Sequence, residues 1–193
     1  MKNQLRSSNL VGMNIRCGLL AVLLLAGVAG CQKQAPATPP APGALTNLAD
    51  YPPGWPPTQA QDKLPVIPLF LSGKMVEAEV AMKPMELMTG MMFRKTMGEN
   101  EGMLFVMPYP QQASFYMKNT PLPLQIAYLD GQGIILELHE LKPFDEKPAP
   151  SATENIQFVL EMNTGWFSRN QLSTGTVIRT QAGGLKDVFR FGK

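Results

Sequence analysis

The chain has 193 residues, with 17 Lys or Arg, 15 Asp or Glu, one histidine and two cysteines. A formal charge of +2 gives no electrostatic case for nucleic acid, whose binding rests on many phosphate contacts. With His139 alone and only Cys17 and Cys31, a Cys/His zinc site and a cysteine–histidine nucleophile are excluded.

The first thirty residues carry Lys2, Arg6 and Arg16 and no acid, followed by an apolar run from Gly18 to Val28. A basic flank, a short apolar core and small residues form a secretory signal. The run is shorter than the roughly 20 residues a spanning helix needs. It closes on Val28-Ala29-Gly30-Cys31, which resembles a lipobox, so residues 1–30 are predicted to be removed and Cys31 lipidated. Gln32, in place of an inner-membrane-retaining Asp, favours the outer membrane. Processing would leave 14 basic residues against 15 acids, without a free thiol.

Residues 31–65 are rich in Pro, Ala, Thr and Gln, and read as a semi-rigid tether with Tyr51 and Trp55 as its large side chains. Val66–Leu71 and Lys74–Met82 flank Ser72-Gly73 as a hairpin with one buried face. Pro84–Thr89 reads as a short helix stopped by Gly90. Strands are predicted at Met103–Met107, Ala113–Lys118 and Leu124–Leu129. The Asp130–Gly133 turn then leads into a strand at Ile134–Leu141. Pro143–Ser151 is a polar loop, Ile156–Met162 a strand, Trp166–Leu172 a second helix and Thr176–Thr180 a last strand. The expected fold is mainly β (α+β), a compact antiparallel sheet or small β-barrel with two short helices over residues 66–181. The tail 182–193 would add an edge strand or dock on the surface.

Gly90-Met91-Met92-Phe93-Arg94, Glu101-Gly102-Met103-Leu104-Phe105 and Met117-Lys118-Asn119-Thr120 with Pro123-Leu124 resemble the domain of unknown function 192 family. Ala127 to Asp130, and Leu160-Glu161 followed by Gly165, continue the match. The resemblance implies a mostly β fold and no agreed biochemical activity. Gln125 stands where the family usually has Asp, and Gly175-Thr176 where it often has Gly-Asp.

Arg94, Lys118, Asn119, Thr120 and Asp130 are the candidate ligand-binding residues. Lys118-Asn119-Thr120 offers a cation, an amide and a hydroxyl before Pro121; equally, Asn119 and Thr120 could serve the turn itself. Arg94 reads either as half of an ion pair with Glu101 or Asp130, or as an anion site with Lys118. Asp130 reads mainly as turn chemistry. Glu161, inside an apolar strand, could pair with a cation. Met82, Met85, Met88 and Met91 recur every three residues, which suits either core packing or Cu(I) ligation. The leading expectation is a monomeric, non-catalytic module of the cell envelope, without a cofactor, binding an envelope ligand or protein. The alternatives are a Cu(I)-binding protein and a hydrolase or transferase using Lys118, Thr120 or Asp130.

Overall fold

A computed structural model describes residues 52–190; Cys31, the signal and the greater part of the tether lie outside the described residues. Ten strands and three short helices follow one another in the described residues. β1 (Val66–Leu71) and β2 (Lys74–Ala81) form the expected hairpin, with Leu69, Leu71, Val76 and Ala78 wholly buried. α1 (Pro84–Thr89) begins on a proline and is held at its first turn by Glu86, whose Oε2 accepts the backbone N–H groups of Met82 and Lys83 at 3.0 Å each. Burial works to raise the Glu86 pKa, but these hydrogen bonds and Lys83 outweigh it and hold it below the ordinary value.

β3 (Glu101–Gln111) runs parallel to β2, so the sheet is mixed rather than antiparallel throughout. The reason is the segment carrying α1: parallel neighbours need a crossover of about a dozen residues or more, and this connection supplies it. β5 (Leu124–Leu129), β6 (Ile135–Leu141) and β8 (Ile156–Asn163) complete one side. The order is β10-β9-β1-β2-β3-β8-β5-β6, with β9 (Ile178–Thr180) and β10 (Gly183–Gly184) at the other end. Among the described residues, the isolated bridge of Ile134 with Val177, flanked by backbone hydrogen bonds of Gly133 and Ile135 to residues 175–178, joins the two ends, and no continuous ladder closes a barrel.

The predicted strand at Ala113–Lys118 shrinks to β4 (Ser114–Phe115), which pairs with β7 (Ala149–Pro150) in a separate two-stranded sheet inside the expected loop. α2 (Trp166–Arg169) is shorter than expected. A third helix, α3 (Leu185–Val188), lies in the tail, which both adds the β10 edge and buries Leu185.

Two apolar clusters lie on opposite faces of the sheet. Leu104, Val106, Phe158, Leu160 and Met162 point into one; Met103, Phe105, Met107, Tyr128 and Val159 point into the other. The alternation within β3 and β8 shows that these strands are buried on both faces, which accounts for their unbroken apolar runs. Gln157 and Glu161 are the buried polar exceptions in β8; Glu161 lies on the face shared with Val159 and opposite Met103 and Ile126 of the flanking strands.

A methionine-walled cavity over Glu161

The second face is covered by α1, by residues 89–92 and by the segment 111–120, and between this cover and the sheet lies a cavity of about 110 Å³. Its walls are mainly apolar: Met88, Met91, Met92 and Met107, with the rings of Phe105 and Phe115. Those rings meet edge to face with centroids 4.9 Å apart. Gly90 belongs to the lining with φ +48°, and a Cβ there would come within 3.1 Å of the Phe105 ring. Glycine thus lets the end of α1 close over the aromatic wall.

Glu161 is the one carboxyl in this lining. It is 4 % exposed, and its Oε2 has no hydrogen-bond partner. Burial pushes its pKa up to about 8, so the carboxyl carries its proton at neutral pH. The expected pairing with a cation is not realised: burial is the one influence on its ionisation, and no basic residue lines the cavity among the described residues. Tyr128, on the same face of β5, donates its hydroxyl to the carbonyl of Ala149, and burial followed by the charges of Glu161 and Glu137 raises its pKa.

The Gln111 Nε2 is a second buried polar atom without a partner. Gln111 lies opposite Ile156, five residues from Glu161 along β8. At about 3.3 Å per residue, the two side chains start roughly 16 Å apart. They reach the cavity from different ends.

The candidate residues divide. Thr120 is 3 % exposed and lines the cavity, its Oγ1 donating to the Lys118 carbonyl at 3.1 Å. Asn119 takes a positive φ of +55°, and its carbonyl accepts the Phe93 N–H at 2.7 Å, tying the turn to the cover. Lys118 is outside the lining. Asp130 is occupied in its own turn, with Oδ1 accepting the N–H groups of Gln132 and Ile134 at 2.8 and 2.9 Å.

Arg94 makes a two-pronged ion pair with Glu79, each contact 2.8 Å, rather than with Glu101 or Asp130. Glu101 instead accepts the Gly98 N–H. The Arg94–Glu79 pair lines a separate, smaller cavity of about 30 Å³. Arg94 and Lys118 therefore do not meet in one cavity.

Of the methionines in the three-residue series, Met88 and Met91 line the larger cavity; Met82 is 46 % exposed and, like Met85, is not in the lining. Gln125, at the position where an acid was expected, accepts the Phe167 N–H with Oε1 at 3.3 Å. Met107 and Gln111 were not among the candidates, because no local pattern joins them to the others. A visible signal was Glu161 itself, a single acid in the run Ile156–Met162.

The segment before β1 is tied to the domain at Gln61 and Leu64. The Gln61 Nε2 donates to the carbonyls of Glu86 and Gly90 at 3.3 and 2.9 Å, and the Leu64 N–H donates to Glu79 Oε2 at 2.8 Å.

Residues 68–180 match the profile of the DUF192 family, described as Uncharacterized ACR. Among solved structures, a Sinorhizobium meliloti 1021 protein labelled a candidate transcription regulator is 28% identical, with a TM-score of 0.59; the alignment covers 62% of this chain and 97% of that one. A protein of unknown function from Novosphingobium aromaticivorans DSM 12444 is 30% identical with a TM-score of 0.57, over 60% of this chain and 86% of that one. No curated protein matches the chain significantly.

Proposed function

The chain belongs to the domain of unknown function 192 family, and we propose that within it this protein is a lipid-anchored module of the cell envelope that holds a small, largely apolar ligand without converting it. The observation that carries the reading is the unpartnered, buried Glu161 carboxyl on the floor of an apolar cavity. An orphaned polar group in such a place costs about 1–3 kcal/mol, a penalty that a ligand's polar group relieves. A single carboxyl, with no second carboxyl and no Lys, Arg or His in the lining among the described residues, supports holding over catalysis. The basic flank, the apolar run and Cys31 support an anchored, periplasm-facing location, and Gln32 supports the outer membrane.

A thermal-shift screen of small fragments against the wild type and Ala113→Leu, which fills the cavity from its wall, tests the site. Fragments that stabilise the wild type and not the variant are expected. Identical shifts in both proteins would remove the cavity as the binding site. Labelling with radioactive palmitate tests the anchor: the wild type takes up label and Cys31→Ala does not, while an unlabelled wild type rules the anchor out.

A second reading, Cu(I) binding, is favoured by one observation: Met88, Met91, Met92 and Met107 surround the same cavity as Glu161. Thioethers are soft ligands suited to this ion. Anaerobic competition with a Cu(I)-binding dye decides it, and no competition at micromolar copper disposes of it.

A further inference from the structure

We propose that the ligand of this cavity is a small organic cation with an apolar body, its charge seated against the Glu161 carboxylate. The inference rests on the cavity being a binding site, and names the class of ligand. The lining holds one carboxyl and no Lys, Arg or His among the described residues, so an anion would find no charged partner there. Glu161 Oε2 has no hydrogen-bond donor, and an organic cation supplies the missing partner, through an N–H where it has one and through its charge alone where it is quaternary. The remaining wall suits the same guest. Aromatic faces such as those of Phe105 and Phe115 attract cations, and the polarisable thioethers of Met88, Met91, Met92 and Met107 accommodate its alkyl groups. An uncharged ligand would be served equally by a neutral amide at position 161, which has no proton to give up. The carboxyl adds what a cation alone uses.

Binding of this kind is linked to a proton. In the empty cavity Glu161 is protonated at neutral pH, because burial raises its pKa to about 8. When the cation enters, the carboxyl O–H bond breaks, the proton leaves to solvent, and the carboxylate pairs with the guest. Tyr116 of the cover shares the lining with Glu161, and the carboxyls and the other tyrosine around this face are engaged elsewhere. Tyr128 of β5 donates to Ala149, Glu101 of β3 accepts the Gly98 N–H, and Glu86 of α1 binds Lys83; Glu79 of β2 is paired with Arg94. Glu161 is thus the group whose titration follows occupancy.

Isothermal calorimetry on the detergent-solubilised full chain, with choline and its uncharged carbon isostere tert-butyl ethanol, tests the assignment. Choline is expected to bind more than tenfold tighter than the isostere at about pH 9. Its affinity should rise close to tenfold per pH unit below about pH 8, with nearly one proton released per event in buffers of different ionisation enthalpy. Glu161→Gln should abolish both the charge preference and the proton release, while Glu161→Asp keeps a weakened preference, which separates loss of charge from loss of fold. Choline binding without proton release, an isostere that binds as tightly as choline, or binding of neither overturns the cation assignment. An isostere that binds in the wild type and fails in Ala113→Leu would still leave the cavity standing as a site for neutral ligands.

Discussion

Glu161 sits mid-strand in β8 with Met103 on one side and Ile126 on the other, so its ionisation is coupled to the stability of the sheet. Its folded pKa, raised to about 8, lies above the ordinary 4.5 expected of the unfolded chain. Below the lower value both states carry the proton, and the contribution to stability is complete. As pH rises between the two values, the unfolded chain gives up its proton first, and stability falls by up to about 1.4 kcal/mol per unit. Above the folded pKa the loss levels off. Urea unfolding at a series of pH values should show this slope in the wild type and a much flatter one in Glu161→Gln; parallel slopes would mean that Glu161 ionises freely in the fold. Arg94 gives a prediction of another kind. Its pair with Glu79 is largely buried, with side chains 17% and 13% exposed. Removing the guanidinium in Arg94→Ala leaves the carboxylate without a counter-charge, held by the Leu64 N–H, and should cost about 3 kcal/mol in denaturant unfolding. Arg94→Lys should recover little of this, since an ammonium cannot make both contacts in parallel.

Elements meet most tightly where β3 enters the sheet. A Cβ at Gly102 would lie 2.6 Å from Met162 Sδ and 2.7 Å from the Glu161 carbonyl. The second obstacle is backbone, so Gly102→Ala should push β8 outward, costing about 3 kcal/mol by thermal or chemical unfolding and weakening whatever binds over Glu161. A variant as stable as the wild type would show that the β3–β8 contact can give. The elements also show which parts of the fold were legible. Val76, Ala78 and Val80 alternating with Glu77 and Glu79 announced the β1–β2 hairpin, because each side chain reports its own face. The parallel β2–β3 pairing was not announced, since direction is set by how a crossover packs and α1 is only six residues long. The strand predicted from Ala113 to Lys118 is cut down to β4 because its apolar residues cover the cavity rather than extend the main sheet. Asp130 was read correctly as turn chemistry because its partners, Gln132 and Ile134, are local. Arg94 was matched to the wrong acid because Glu79 lies on a strand whose neighbours the sequence does not name. The cavity shares this difficulty: Met88 of α1, Met107 and Gln111 of β3 and Glu161 of β8 come from three places in the chain and meet only after the sheet forms.

At the scale of the whole molecule, one mixed sheet is buried on both faces and serves two purposes. One face holds the larger apolar cluster with Trp166 and Phe167; the other carries the cover, the cavity and Glu161. The docked segment from Gln61 to Leu64 ties the approach from the proposed anchor to the end of α1 and to Glu79. An anchored chain would thereby present the cavity on a domain whose first contacts brace that same cover. Small ligands that enter this cavity meet its methionines, which report on entry directly. In protein labelled at the methionine methyl groups and titrated with fragments by NMR, the signals of Met88, Met91, Met92 and Met107 should shift together. Those of Met75 and Met82, 52% and 46% exposed, should stay in place. Shifts confined to the exposed methionines, or no shift at any fragment concentration, would contradict the account.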